Sequence, residues 1–106
     1  MVPRIAVCLV VALICLPATA APPKLACTLS DDKSSILVIG SNPSDTSYTC
    51  QAWCRVTVTG QRAFEEFDCR FNIGKNAPEK AMCNRDGGDA GHYKAIDSNK
   101  WTCVPR

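Results

Sequence analysis

Only one histidine, His92, occurs in these 106 residues, and 12 Lys and Arg nearly balance 10 Asp and Glu. That near-neutral charge excludes an electrostatic footprint on nucleic acid and a polybasic membrane anchor. It also disfavours an antimicrobial reading, which needs a cationic amphipathic surface. The length excludes a Rossmann or barrel enzyme. Gly-x-Ser-x-Gly is absent, as is a Ser/His/Asp order around His92, so nucleophilic hydrolysis has no carrier. No apolar stripe recurs at 3.6-residue spacing, and no internal repeat appears.

A single long apolar run is present, at the N-terminus. Residues 5–16 are unbroken apolar, Arg4 precedes them, Pro17 follows, and Ala18-Thr19-Ala20 is a small-x-small site. This is the pattern of a secretory signal peptide at residues 1–20, cleaved before Ala21. Twelve apolar residues make about 18 Å of helix, too short for a hydrocarbon core of about 30 Å. Cys8 and Cys15 follow Val7 and Ile14 rather than small residues, so they are expected to leave with the leader. Residues 21–106 are then one domain with no membrane span, secreted or periplasmic, with 11 Lys and Arg against 10 Asp and Glu.

Six cysteines remain: Cys27, Cys50, Cys54, Cys69, Cys83 and Cys103. An even count in a short exported chain predicts three disulfides. Zinc prefers two close cysteine pairs, and Cys50-x3-Cys54 is the only one, so no metal or other cofactor is expected. From residue 50 to 58, Cys50, Ala52, Cys54, Val56 and Val58 alternate with Gln51, Trp53, Arg55 and Thr57, which describes a strand lying over a core. Two residues four apart on a strand are about 13 Å apart, beyond the bridging limit of about 7 Å, so Cys50 and Cys54 must find different partners. Glu65, Phe67, Cys69, Phe71 and Ile73 alternate in a second strand. A four-residue turn at 60–63 would set Cys54 opposite Cys69, which suggests that pairing.

Further strands are predicted at 25–29, at 36–39 ended by Gly40, at 80–84, at 93–96 and at 101–104. Loops are expected at 41–45, 74–79 and 86–91. About seven short strands predict an all-β domain, a small disulfide-stabilised sandwich of immunoglobulin-like type, with a small β-barrel as the alternative.

The order Cys-Thr-Leu-Ser at 27–30, Asn-Pro at 42–43, Cys-x3-Cys at 50–54, Phe-x-Cys at 67–69, then Cys83 and Cys103, resembles a group of small exported cysteine-containing proteins of Gram-negative bacteria. The resemblance spans the whole mature region and implies an oxidising periplasm. It assigns no role to any residue.

Trp53, between Gln51 and Arg55 on the face opposite the cysteines, suits stacking on a sugar or anchoring a protein interface if that face is open. If a second sheet or loop covers it, Trp53 is ordinary packing. Trp101, close to Cys103, is expected in the core. Asn84, Asp86 and Asp89 do not fit a calcium loop, whose glycine and glutamate positions fall here on Asp89 and Ala95. Glu65, Glu66 and Asp68 form an acidic patch, best read as a solvated edge rather than a glycosidic pair. The leading expectation is a non-enzymatic exported binding module for a protein or cell-envelope component, with Trp53, Arg55 and Arg62 as binding candidates. The first alternative is an inhibitor of an exported enzyme acting through the 60–63 loop, with Arg62 entering a trypsin-like pocket. The second is a redox or enzymatic site at Cys50 and Cys54.

Overall fold

The computed structural model describes residues 21–106; the expected leader lies outside the described residues. Six strands follow one another: β1 (Lys24–Leu29), β2 (Ser35–Asn42), β3 (Tyr48–Val58), β4 (Phe64–Ile73), β5 (Ala77–Asp86) and β6 (Tyr93–Pro105). They form two antiparallel three-stranded sheets, ordered β1-β2-β5 and β4-β3-β6. Two separate sheets set the barrel alternative aside.

Six strands stand where about seven were predicted because the last two are one. The polar stretch between Ile96 and Trp101 looks like a break, but β6 runs through it. A bulge at Asp97 keeps Ser98 opposite Arg55 and Ile96 opposite Val56. Gly40 does not end β2 either. It pairs with Leu25 and Lys80 inside the sheet, and a Cβ there would meet Met82 Cγ at 3.1 Å, so the glycine admits a neighbouring side chain. β5 likewise starts at Ala77, leaving a shorter loop than predicted.

The predicted alternation of β3 is the spine of the core. Cys50, Ala52, Cys54, Val56 and Val58 are buried together with Leu25, Ile36, Val38, Ile73 and Tyr93, each at most 5% exposed. Burying a large aliphatic side chain of this kind contributes about 1.5–3 kcal/mol. Tyr93 carries a phenol into this cluster and donates it to Glu65 Oε2 at 3.2 Å, where Arg85 Nη1 also donates at 2.9 Å. Burial and the Glu65 carboxylate push the Tyr93 phenol up from its ordinary value.

Three disulfides join the sheets and brace one of them: Cys27–Cys54, Cys50–Cys103 and Cys69–Cys83, with Cα–Cα distances of 5.9, 4.1 and 6.6 Å. The expected separation of Cys50 from Cys54 holds. The suggested Cys54–Cys69 pairing does not, because Cys54 faces Phe67 and Cys69 faces Ala52. The cause is at the end of β3. Thr59 donates its amide to His92 O at 3.0 Å and its hydroxyl to Gly91 O at 2.7 Å, which draws the chain towards β6. The β3–β4 ladder therefore closes at Thr57 and Phe64, and the connection is longer than a four-residue turn.

Of the described glycines, Gly87 has the least room for a side chain. A Cβ there would lie 2.5 Å from His92 Cδ2 and 2.8 Å from Tyr93 Cε2, and Tyr93 is too buried to yield. Gly87→Ala is expected to cost about 1–3 kcal/mol by overpacking. Gly74→Ala, where nothing lies within 4 Å, should be close to neutral. Thermal melts of the two variants check this, and equal melting temperatures would remove the steric argument.

Candidate functional site

With Cys50 and Cys54 turned inward, β3 must turn Gln51, Trp53, Arg55 and Thr57 outward. The other sheet packs on the opposite side, so this outer face is uncovered and Trp53 is half-buried by its own neighbours. The ladders assign those neighbours. Trp53 lies between Asp68 on β4 and Lys100 on β6, and Arg55 lies between Glu66 and Ser98. Two parallel rows of side chains thus cross the sheet, and a depression of about 330 Å³ lies among them. Its lining also includes Cys54, Phe67 and Asn99, whose register positions fall between the two rows; no residue of the β1-β2-β5 sheet lines it.

The charges are sorted by strand. Glu66 and Asp68 line the β4 side, Lys100 the β6 side, and Arg55 the centre. Lys100 Nζ lies 5.3 Å from the Trp53 ring centroid, and the Arg55 guanidinium lies 4.1 Å from that of Phe64, both within cation–π range. Asp68 accepts a hydrogen bond from Gln51 Nε2 at 3.3 Å, and Arg55 Nε is 3.9 Å from Asp97. These contacts are at exposed or half-exposed positions, so each is worth little to stability. Chemically, the depression offers one aromatic edge, carboxylates on one side and ammonium or guanidinium donors on the other.

Two of the three binding candidates therefore come together here, Trp53 and Arg55. Arg62 does not: it is exposed in the β3–β4 connection, past Thr59, and is absent from the lining. The acidic patch is divided by the pleat. Glu66 and Asp68 face the depression, whereas Glu65 points inward to Tyr93 and Arg85. Lys100 and Ser98 were missed as site residues, since only the register of a continuous β6 places them beside Trp53 and Arg55. Trp101, expected in the core, is 40% exposed because β6 is an edge strand. The reading of Cys50 and Cys54 as a working pair is overturned. Each is 1% exposed and bonded to a different strand, and no cysteine is free among the described residues.

No family model, curated protein or solved structure matches this chain.

Proposed function

We propose that this chain is an exported, non-enzymatic binding module, secreted or periplasmic, that captures a protein or cell-envelope component in the depression around Trp53. The observation that carries this reading is a tryptophan held half-exposed on an uncovered sheet face, between a carboxylate and an ammonium, on a scaffold tied by three disulfides. A rigid aromatic anchor flanked by charged groups of both signs suits recognition of a polar partner, and it loses little conformational entropy on binding. Three disulfides suit a non-reducing environment, which agrees with the expected leader.

The immunoglobulin-like reading belongs to the same proposal. β1, β2 and β5 take the places of strands A, B and E, and β4, β3 and β6 those of C′, C and F, with the chain changing sheets at the same steps. The inter-sheet disulfides differ from the usual B–F bridge, since they join β1 to β3 and β4 to β5.

The test is capture of envelope extract by immobilised protein. Trp53→Ala is expected to reduce capture at least about tenfold while the melting temperature stays within a few degrees, as for an interface anchor of about 2 kcal/mol. Undiminished capture with an intact fold would overturn the site. The inhibitor reading is favoured by one observation, the exposure of Arg62 on a connection flanked by the strands that carry Cys54 and Cys69. In that case Arg62→Ala, not Trp53→Ala, abolishes the effect.

A further inference from the structure

β6 is the longest strand and lies at the edge of its sheet, paired only with β3 among the described residues. Its register shows which backbone groups face outward. Cys50 and Cys103 have a Cα–Cα distance of 4.1 Å, the narrow spacing of a pair that exchanges no hydrogen bonds with the facing residue. Cys103 therefore turns its N–H and C=O away from β3. Arg106 donates its amide to Ser47 O at 2.9 Å, which fixes the alternation independently: from Ser98 onward even-numbered residues bond towards β3 and odd-numbered ones point away. Asn99, Trp101 and Cys103 thus present three N–H and three C=O groups along an open edge. β1 passes β6 from the other sheet but shares no ladder with it.

This edge is blunted at both ends and open in between. Bulges at Lys94 and Asp97 disrupt the first part of the strand, and Pro105, whose missing N–H falls on the open side, closes the last. Between them the ladder from Ser98 to Val104 is regular. Trp101, in phase with Ala52, lies 40% exposed on this open edge.

We propose that residues 98–104 of β6 form a self-association site, to which a second copy of this chain adds its own β6 in antiparallel orientation. Self-complementarity argues for this occupant. With Trp101 opposite Trp101 of the second copy, Asn99 faces Cys103 and Cys103 faces Asn99, so all six outward groups of each strand are paired. A register centred on Lys100 would set two ammonium groups directly opposite, and one centred further along leaves outward groups unpaired. In the register centred on Trp101, Lys100 faces Thr102, and Arg106 falls beside Asp97 of the second copy, its opposite in charge. The result is one six-stranded sheet across two copies, an isologous contact about a twofold axis. The inference does not depend on the Trp53 reading.

Sedimentation of the oxidised full-length mature chain, from micromolar to near-millimolar concentration, tests it. A monomer–dimer equilibrium is expected, and Asn99→Pro should weaken it at least about tenfold, since it deletes an outward amide twice per dimer while removing no bond to β3. Trp53→Ala should leave the dimer unchanged. Amide exchange supplies a second reading that needs no variant: Asn99, Trp101 and Cys103 should gain protection as concentration rises. A chain that stays monomeric throughout, or a dimer indifferent to Asn99→Pro, overturns the proposal. So does concentration-dependent protection that spares these three amides, or an edge taken up only by an extended segment of a different protein.

Discussion

Replacing Cys50 and Cys103 together by alanine is expected to lower stability by about 4 kcal/mol, the largest loss among the three bridges. The ranking follows from loop length. The bridges span separations of 53, 27 and 14 residues for Cys50–Cys103, Cys27–Cys54 and Cys69–Cys83. On the chain-entropy account these correspond to about 4, 3.5 and 3 kcal/mol. The sum is comparable with the whole stability of a small domain, about 5–15 kcal/mol. Full reduction is therefore expected to unfold the chain at ambient temperature, seen as loss of the β signature in circular dichroism. Urea unfolding of the three double-alanine variants checks the order. A Cys69/Cys83 variant less stable than the Cys50/Cys103 variant would show that packing around the sulfurs, not loop closure, sets the cost. A reduced chain with a native spectrum would mean that the core of ten buried apolar residues suffices alone.

The pattern of β3 was legible because from Cys50 to Val58 every inward position is buried and no outward one is, which is what period-two alternation reports. The same alternation correctly kept Cys50 from Cys54. It could not choose their partners, which depend on the strands packed around β3: β1 of the other sheet for Cys54, and β6 alongside in the same sheet for Cys50. The error in the β3–β4 register has a local origin in the two hydrogen bonds of Thr59 to the loop before β6. Those bonds join residues more than thirty positions apart, and no turn rule contains them. Gly40 misled for the opposite reason. A glycine usually signals the end of a strand, and here it marks close approach of Met82.

The candidate site divides along the same line. Trp53 and Arg55 share a strand, so their common face could be read directly. Lys100 joins them only if β6 is continuous, and continuity depends on a bulge at Asp97 that leaves no mark in composition. Trp101 was expected in the core because it lies close to Cys103, and the register does give it an inward phase. An inward phase buries a side chain only where something lies beyond it, and at an edge strand nothing does.

Asn42→Asp is expected to be the most damaging single substitution at neutral pH, and its cost should depend on pH. Asn42 is 0% exposed and uses its whole amide. Nδ2 donates to Thr46 O at 2.8 Å and to Gly74 O at 2.9 Å, while Oδ1 accepts from Ser44 N at 3.1 Å and Ser44 Oγ at 2.8 Å. One side chain thus ties the connection after β2 to the one before β5. Asn42→Ala removes all four bonds and leaves Ser44 N and Gly74 O without these partners, while Thr46 O keeps Ser44 Oγ at 3.1 Å; it should cost about 3 kcal/mol, since each orphaned buried polar group is worth about 1–3 kcal/mol. An aspartate keeps both accepting bonds but turns its second oxygen on two carbonyl oxygens, so the folded protein strongly favours the protonated acid. Its carboxyl is then raised above the unfolded value of about 3.9. Below that pH both states are protonated and the variant comes nearest to wild type. As pH rises through it, the unfolded chain ionises first and stability falls by up to about 1.4 kcal/mol per pH unit until the folded carboxyl ionises too. Melting temperatures of wild type, Asn42→Ala and Asn42→Asp between acid and neutral pH separate the terms. The alanine profile should run parallel to wild type, and the aspartate profile should diverge downward as pH rises. Parallel profiles for all three would mean that water or a rearranged loop reaches the carboxylate, and that the amide is not the clamp its four hydrogen bonds describe.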